Sequence, residues 1–191
     1  MAEIKPIRFT SSGKPIAPDQ LAKLESHIGR QLPTEFREFL LSKNGARPEP
    51  NIYEFGNNST AVERFLGISD KDADDLAAVN RMYEGRLPHD MIAIATAAGG
   101  NLICLHVKNG AVYFWDHERE AMGDEEPSLA RMDHLAPSFT NFLEALRPYT
   151  EDITLDPRDI KSVWKKPGFE QKFKQYLADD KSTGETDKTS K

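Results

Sequence analysis

The chain contains almost no cysteine and no long apolar run, and both absences narrow its class. Cys104 is the single cysteine among 191 residues, which excludes an intrachain disulfide and a disulfide-stapled secreted scaffold. No stretch of about 18 apolar residues is present to span a bilayer. The first residues lack the apolar core of a secretory signal peptide. We therefore expect a reducing, cytoplasmic location.

The chain also lacks the residue spacings of preformed metal sites. Its five histidines are scattered, and neither CxxC, HxxxH nor HExxH occurs. His117 and His134, together with Asp133, flank an acidic stretch and could chelate an ion. Solvated polar side chains are the expected state of these three residues. We predict no metal and no cofactor.

One set of residues keeps an enzyme alternative open. Cys104 and His106 are two positions apart on a predicted strand and point to the same face, and Asp116 or His117 would lie on the neighbouring strand. A cysteine beside a histidine is a pattern of nucleophilic catalysis. No nucleophile elbow or oxyanion-hole loop accompanies these residues. A buried structural thiol is the favoured interpretation, and we predict that the protein is not an enzyme.

A basic excess, typical of nucleic-acid-binding proteins, is missing as well. The formal net charge is -6, and residues 51–150 alone carry eight Lys/Arg against sixteen Asp/Glu. Basic surfaces bind the phosphate backbone, whereas an acidic surface attracts basic proteins. We therefore predict a basic protein partner and no binding to nucleic acid or membranes. A purely solubilising acidic surface is the alternative.

The most informative part of the chain lies between Met91 and His117. It contains three apolar stretches joined by the glycine turns Gly99–Asn101 and Asn109–Gly110. Asn-Gly tolerates the positive φ that a tight hairpin turn requires. An antiparallel sheet is therefore predicted at the centre of the fold. Its strands are expected over residues 91–96, 102–107 and 111–115.

Four amphipathic helices are predicted within residues 15–149 from apolar residues repeated at about 3.6-residue spacing. The first two follow each other closely and end at Gly29 and at Asn44-Gly45. Ser69 or Asp70 is expected to cap the third helix. Ser138 is expected to cap the fourth.

The order of these elements predicts an α+β fold. Strands over residues 52–55 and 61–66 precede the central sheet, and residues 45–50 are expected to form a turn. We predict a single domain with a central antiparallel sheet packed with helices, plus an accessory C-terminal helix. Composition divides the chain into an N-terminal extension (1–14), the domain (15–149), an accessory segment (150–178) and a disordered tail (179–191).

Short motifs at the joints of these elements resemble those of a known family. The motifs are Leu32-Pro33-x-x-Phe36 with Phe39-Leu40 and Asn44-Gly45, Phe65-Leu66-Gly67, Leu87-Pro88, Ile94-Ala95 with Gly99-Gly100-Asn101, and Val112-x-Phe114-Trp115-Asp116-His117. In order and spacing they look like the SUKH superfamily, whose fold is shared by yeast cell-wall-synthesis regulators and is common in bacteria. The resemblance covers roughly residues 15–147.

The resemblance implies a binding role. Many bacterial SUKH proteins are immunity proteins that neutralise a cognate toxin, often a nuclease or deaminase, from polymorphic or contact-dependent toxin systems. For this chain the resemblance therefore implies a bacterial immunity protein without enzymatic activity, whose partner is a protein toxin. The alternative is a regulatory or scaffold module without a toxin partner, which would use an amphipathic helix around Phe169, Phe173 and Tyr176.

The candidate partner-binding residues lie where an aromatic residue meets clustered carboxylates. Trp115 ends the third strand of the meander, and an exposed aromatic side chain beside ionisable groups is typical of an interface anchor. Asp116 is also expected to hydrogen-bond the backbone near residues 99–101. A half-buried tryptophan and a solvated acidic face are the alternatives. The predicted site consists of Trp115, Asp116, Glu118, Glu120, Asp124, Glu125 and Glu126, with Asp72, Asp74 and Asp75 in the first turn of the third helix as a second group.

Overall fold

The computed structural model describes residues 7–149, which form eight strands and four α-helices. The strands are β1 (Arg8–Thr10), β2 (Arg47–Glu49), β3 (Ile52–Phe55), β4 (Asn58–Phe65), β5 (Met91–Ala97), β6 (Asn101–His106), β7 (Val112–Trp115) and β8 (Asp133–Ala136). The helices are α1 (Pro18–Ile28), α2 (Thr34–Lys43), α3 (Leu76–Met82) and α4 (Phe139–Glu144). The predicted accessory segment, the predicted tail and residues 1–6 lie outside the described residues.

A six-stranded antiparallel sheet in the order β3-β4-β5-β6-β7-β8 forms the centre of the fold. Each of these strands pairs with the next strand in the chain, so the sheet is a meander. The predicted α+β class, with a central antiparallel sheet packed with helices, is confirmed. The three strands predicted after Met91 form β5, β6 and β7. Strand β8, which pairs with β7, has no predicted counterpart.

The two central strands are buried on both faces, as expected for strands that read as continuous apolar runs. All of β5 except Thr96 is buried, and so are the four inner residues of β6. Helices α2 and α4 cover one face through a cluster of phenylalanine rings. The ring centroids of Phe39 and Phe139 are 5.1 Å apart, and they lie 4.8 and 5.6 Å from that of Phe65 in β4. Edge-to-face pairs of this kind stabilise a core by about 1 kcal/mol each beyond the area they bury.

The outer strands of the sheet approach each other. The Tyr53 hydroxyl in β3 donates a hydrogen bond to the carbonyl oxygen of Leu135 in β8, and burial raises the pKa of that hydroxyl. The ring of Phe55 in β3 lies 5.1 Å from that of Phe114 in β7. Tyr53 also stacks on Phe142 of α4 at 4.9 Å. The sheet therefore curls around the aromatic side chains of one face.

Helix α3 lies beside β5 at the point where β4 has ended. Asp75 caps this helix by accepting a hydrogen bond from a backbone N–H of its first turn at 2.9 Å. The prediction of a cap at Ser69 or Asp70 is wrong, because the segment before Asp75 forms a short 3₁₀ turn instead. Asn80 of α3 closes the free edge of β5, since its amide donates to the Ala93 carbonyl at 2.9 Å and accepts from the Ala93 N–H at 2.8 Å. The pairing of β5 with β6 is irregular next to Ala93. The Asn80 amide thereby gives the N–H and the carbonyl of Ala93 hydrogen-bond partners at this point.

The N-terminal extension contributes a strand that the sequence did not reveal. Strand β1 pairs antiparallel with β2, so that Phe9 lies opposite Pro48. The prediction of a turn over residues 45–50 is therefore wrong for the residues of β2. It failed there because the prolines in this stretch argue against a strand in the sequence. The Phe9 ring packs 5.2 Å from Phe39, and the Lys43 ammonium lies 5.9 Å from the centroid of Phe9. This short two-stranded sheet is thus attached to the phenylalanine cluster.

A buried asparagine joins three segments at the end of α2. Asn44 is 4% exposed, and its Nδ2 donates to the carbonyl oxygens of Lys14 and Ile68, both at 3.1 Å. Its Oδ1 accepts from the Ile68 N–H at 2.7 Å. Gly67 lies so close to this amide that a Cβ at position 67 would be 2.0 Å from Oδ1. Lack of space therefore requires glycine at this position.

Alanine at position 67 should destabilise the domain severely. The added methyl group must displace the Asn44 amide and would also lie 2.6 Å from the backbone nitrogen of Gly45. We expect Gly67→Ala to lower the free energy of unfolding by about 3 kcal/mol in chemical denaturation. Gly56→Ala is the control, because Gly56 has a φ of +55° and open space around it, and should lose about 1 kcal/mol. Equal losses in the two variants would contradict the steric account.

Candidate functional site

Trp115 is buried at the end of β7. It is 3% exposed and pairs with Leu102 of β6. Tyr83, which ends α3, covers it edge-to-face with ring centroids 5.3 Å apart. The prediction of an exposed Trp115 that anchors an interface is therefore wrong, because the residues that end α3 fold over this side of the sheet. Its role is internal to the domain.

Arg86 lies over the same aromatic pair and connects it to the acidic stretch. Its guanidinium carbon is 4.7 Å from the Tyr83 ring centroid and 5.3 Å from that of Trp115. Its Nε and Nη2 both donate to Oε2 of Glu120, at 2.9 and 2.7 Å. A planar guanidinium suits both contacts, since it can face aromatic rings and donate in its plane. Tyr83, Arg86, Trp115 and Glu120 form what we call the arginine clasp.

The acidic segment, residues 116–126, follows β7 and carries six carboxylates and one arginine. Three of these carboxylates have partners inside the domain. Asp116 accepts a hydrogen bond from the N–H two residues further on at 2.9 Å. Glu120 belongs to the arginine clasp, and Glu125 forms an ion pair with Arg131. These three side chains therefore stabilise the structure of the domain in and around the segment.

The other three carboxylates of the acidic segment are exposed. None of them has a hydrogen bond or an ion pair with another residue in the described part of the chain. Met122, in the same segment, is 78% exposed. The segment therefore presents a flexible apolar side chain among unpaired negative charges. These three carboxylates belong to Glu118, Asp124 and Glu126.

An asparagine ties the start of the acidic segment to the hairpin between β5 and β6. The Oδ1 of Asn101 accepts from the His117 N–H at 3.1 Å and lies 2.8 Å from Nδ1 of the same histidine. The prediction that Asp116 makes this connection is wrong, because its carboxylate bonds within its own turn. The turn cluster that contains Asn101 was the signal in the sequence, since a polar residue directly after two glycines is well placed for such a bond.

The second predicted group of aspartates does not form one site. Asp75 caps α3, and Asp74 forms an ion pair with Arg64 at 3.5 Å. Asp72 is exposed, and its carboxylate has no partner among residues 7–149. All three precede the first turn of α3, contrary to the prediction that they lie within it.

A cleft of about 590 Å³ lies between the end of α1, helix α3 and the segment that follows α3. Apolar side chains such as Leu87 and Ile92 contribute to its lining. Glu126 and Pro127 form part of one wall, so the acidic segment borders the cleft. Sequence reasoning missed this feature, because its lining residues are far apart in the chain and share no motif.

Cys104 and His106 do not form a reactive pair. Cys104 is fully buried in β6, and burial raises the pKa of its thiol well above the usual range. The Nδ1 of His106 accepts from the Lys108 N–H at 3.3 Å, within the adjoining turn. A thiol that stays protonated is a poor nucleophile. The residues of the enzyme alternative therefore lack the arrangement that nucleophilic catalysis requires.

The residues of the metal alternative are engaged separately. Arg119 donates to the Asp133 carboxylate at 2.7 Å, and the His134 ring packs edge-on against Tyr113 at 5.1 Å. His117 bonds to Asn101 as described. Between residues 7 and 149, no group of three or more His, Cys, Asp or Glu side chains is arranged to hold a metal ion. No helix in this range is long and apolar enough to cross a membrane.

The fold and the family motifs are matched by known proteins. Residues 15–145 match the SMI1/KNR4 family (SUKH-1). The chain belongs to this family. The match extends from just before α1 to the end of α4 and confirms the resemblance seen in the sequence.

The chain is also similar to the SPbeta prophage-derived uncharacterized protein YokK of Bacillus subtilis (strain 168), with 32% identity over 119 residues. That similarity covers 52% of this chain and 62% of the relative, so the chain spans less than two thirds of the relative's length.

The buried thiol should be unreactive in the folded protein. At mildly alkaline pH we expect Ellman's reagent to modify Cys104 only when denaturant unfolds the domain, because burial keeps the thiol protonated and inaccessible. Released thionitrobenzoate gives the rate by absorbance. A Ser59→Cys variant, with a second thiol at an exposed position of β4, should react at once with one equivalent of reagent. Rapid reaction of Cys104 in the native protein would overturn this account and reopen the enzyme alternative.

Proposed function

We propose that this protein is a bacterial immunity protein that binds and neutralises a cognate toxin domain of the nuclease or deaminase type. The observation that carries the proposal is membership of the SMI1/KNR4 family over residues 15–145, because bacterial SUKH proteins are commonly immunity proteins. The mode of action is stoichiometric binding that blocks the toxin, without turnover. The features around the acidic segment are consistent with this role.

The unpaired carboxylates of the acidic segment are the proposed contact with the toxin. Enzymes that act on nucleic acids use Lys and Arg to bind phosphates. A protein that presents exposed carboxylates to such a cleft can occupy the place of the nucleic acid. Glu118, Asp124 and Glu126 have the required charge and exposure. The proposed partner surface is therefore basic.

Exposed methionines supply the apolar part of the proposed contact, in place of the buried Trp115. Met122 lies within the acidic segment, and Met82 precedes Tyr83 of the arginine clasp. Their exposed fractions are 78% and 62%. Methionine adapts its shape to a partner because its side chain is unbranched and polarisable. An interface of apolar anchors with charged surroundings matches the general anatomy of protein complexes.

The direct test of immunity is protection of a cell. The toxin domain encoded nearest to the gene of this protein is expressed in a sensitive bacterium, with and without this chain. We expect growth only in the presence of the chain, and a one-to-one complex in gel filtration at high salt with a catalytically inactive toxin. The proposal would be contradicted if the chain neither protected the cells nor formed a complex with any neighbouring toxin domain. Several partners that dissociate at high salt would favour the scaffold alternative.

Neutralising the unpaired carboxylates should slow association with the toxin. We expect the triple variant to reduce the association rate constant by about tenfold at low salt and to have little effect at high salt, because electrostatic steering is screened. Surface plasmon resonance measures both rates. A control triple variant removes the same charge from exposed carboxylates elsewhere and should associate at nearly the normal rate. Equal reductions of the association rate constant in the two variants would show that the net charge of the protein sets this rate and that the position of the charges in the acidic segment does not. The test variant is Glu118→Gln/Asp124→Asn/Glu126→Gln, and the control is Glu38→Gln/Glu54→Gln/Glu63→Gln.

A further inference from the structure

The acidic segment has few connections to the rest of the domain. In the described part of the chain, residues 118–126 are joined by hydrogen bonds to residues outside 116–133 at one place. There Arg86 donates two hydrogen bonds to Glu120. The others are local, such as those from Arg119 to Asp133 and from Arg131 to Glu125. Asn101 holds the start of the segment at His117, and Arg86 is the distant residue that holds the part after it by hydrogen bonds.

We propose that Arg86 is a positioning residue for the acidic segment. Held over the rings of Tyr83 and Trp115, its guanidinium fixes Glu120 and thereby keeps the unpaired carboxylates of the segment in one conformation. The positioning is a property of the free protein. Its use in recognising a basic toxin surface rests on the proposed function.

The aromatic support is what distinguishes this ion pair from an ordinary one on the surface. An isolated exposed ion pair contributes little, because two flexible side chains must be ordered to form it. The side chains of Arg86 and Glu120 are 41% and 32% exposed. The rings of Tyr83 and Trp115 are already fixed by the core, and they order the guanidinium before Glu120 binds. Glu120 therefore meets a donor pair that is oriented in advance.

Like charges explain why the acidic segment needs such a fastening. Six carboxylates within residues 116–126 repel one another and favour open conformations. Contact with Arg86 neutralises one of them at the side of the segment that faces α3. A surface ordered before binding loses less conformational entropy when a partner arrives. The clasp is therefore expected to affect how long a complex lasts more than how fast it forms.

Hydrogen exchange in the free protein tests the positioning role. We expect Arg86→Gln to speed amide exchange of residues 118–126 by about tenfold or more, with unchanged exchange in β5, β6 and β7. Arg86→Lys should give an intermediate rate, because it keeps the charge and loses the planar donor pair. Arg81→Gln is the matched control, since Arg81 is an exposed arginine of α3 whose guanidinium has no partner within residues 7–149. It should leave the segment unchanged.

Glu120→Gln keeps the test decisive if Arg86→Gln fails to fold. This variant removes the ion pair from the exposed side and leaves the rings and Arg86 in place, so it should loosen the same amides. Faster tryptic cleavage after Arg119 should accompany the change in both variants. Exchange at the normal rate in residues 118–126, or an equal rise throughout the domain, would overturn the positioning role.

Binding kinetics separate this inference from the proposed function. With the cognate toxin domain, Arg86→Gln should raise the dissociation rate constant severalfold and leave the association rate constant within about twofold of normal. A rise in the association rate constant alone would show that Arg86 acts through its charge, because removing a cation from an acidic surface strengthens attraction to a basic partner, and would contradict its positioning role in binding. Should no toxin bind, the proposed function fails, while the exchange experiment still decides whether Arg86 orders the segment.

Discussion

The arrangement of this domain depends on the buried side-chain amide of Asn44. Its two donors and its acceptor are all used, and they connect the chain after β1, the end of α2 and the segment that follows β4. A buried polar group that loses its partners is strongly destabilising, so these three segments are fixed together. Gly67 is part of the same constraint, because a side chain at this position would collide with the Asn44 amide. From this junction the chain passes to the cap of α3 and on to the central sheet.

Local signals were sufficient to predict the centre of the fold. Apolar runs and glycine turns predicted β5 to β7, and helical spacing predicted the ends of α1 and α2. The elements that were missed depend on distant partners. Strands β1 and β2 are only three residues each, and one of their pairs contains Pro48. The start of α3 was misplaced because several neighbouring residues can cap a helix, and the fold selects Asp75 among them.

The acidic character of the candidate site was visible in the sequence, but the use of each carboxylate was not. Composition treats Glu118 and Glu120 alike, although one is unpaired and the other binds an arginine 34 residues earlier in the chain. The error at Trp115 has the same origin. Its position at a strand end suggested exposure, and the residues that cover it follow α3. Sequence patterns locate a charged surface, whereas tertiary contacts divide it into structural and available groups.

The Asn80 amide has a consequence for the behaviour of the domain in concentrated solution. Where β4 ends, the next peptide of β5 would present a free donor and acceptor, which is the template that another polypeptide needs to add a strand. The side chain from α3 occupies both groups of Ala93. At Ala93 the Asn80 side chain thus takes the place of a neighbouring strand, and the peptide has no free donor or acceptor with which another polypeptide could pair.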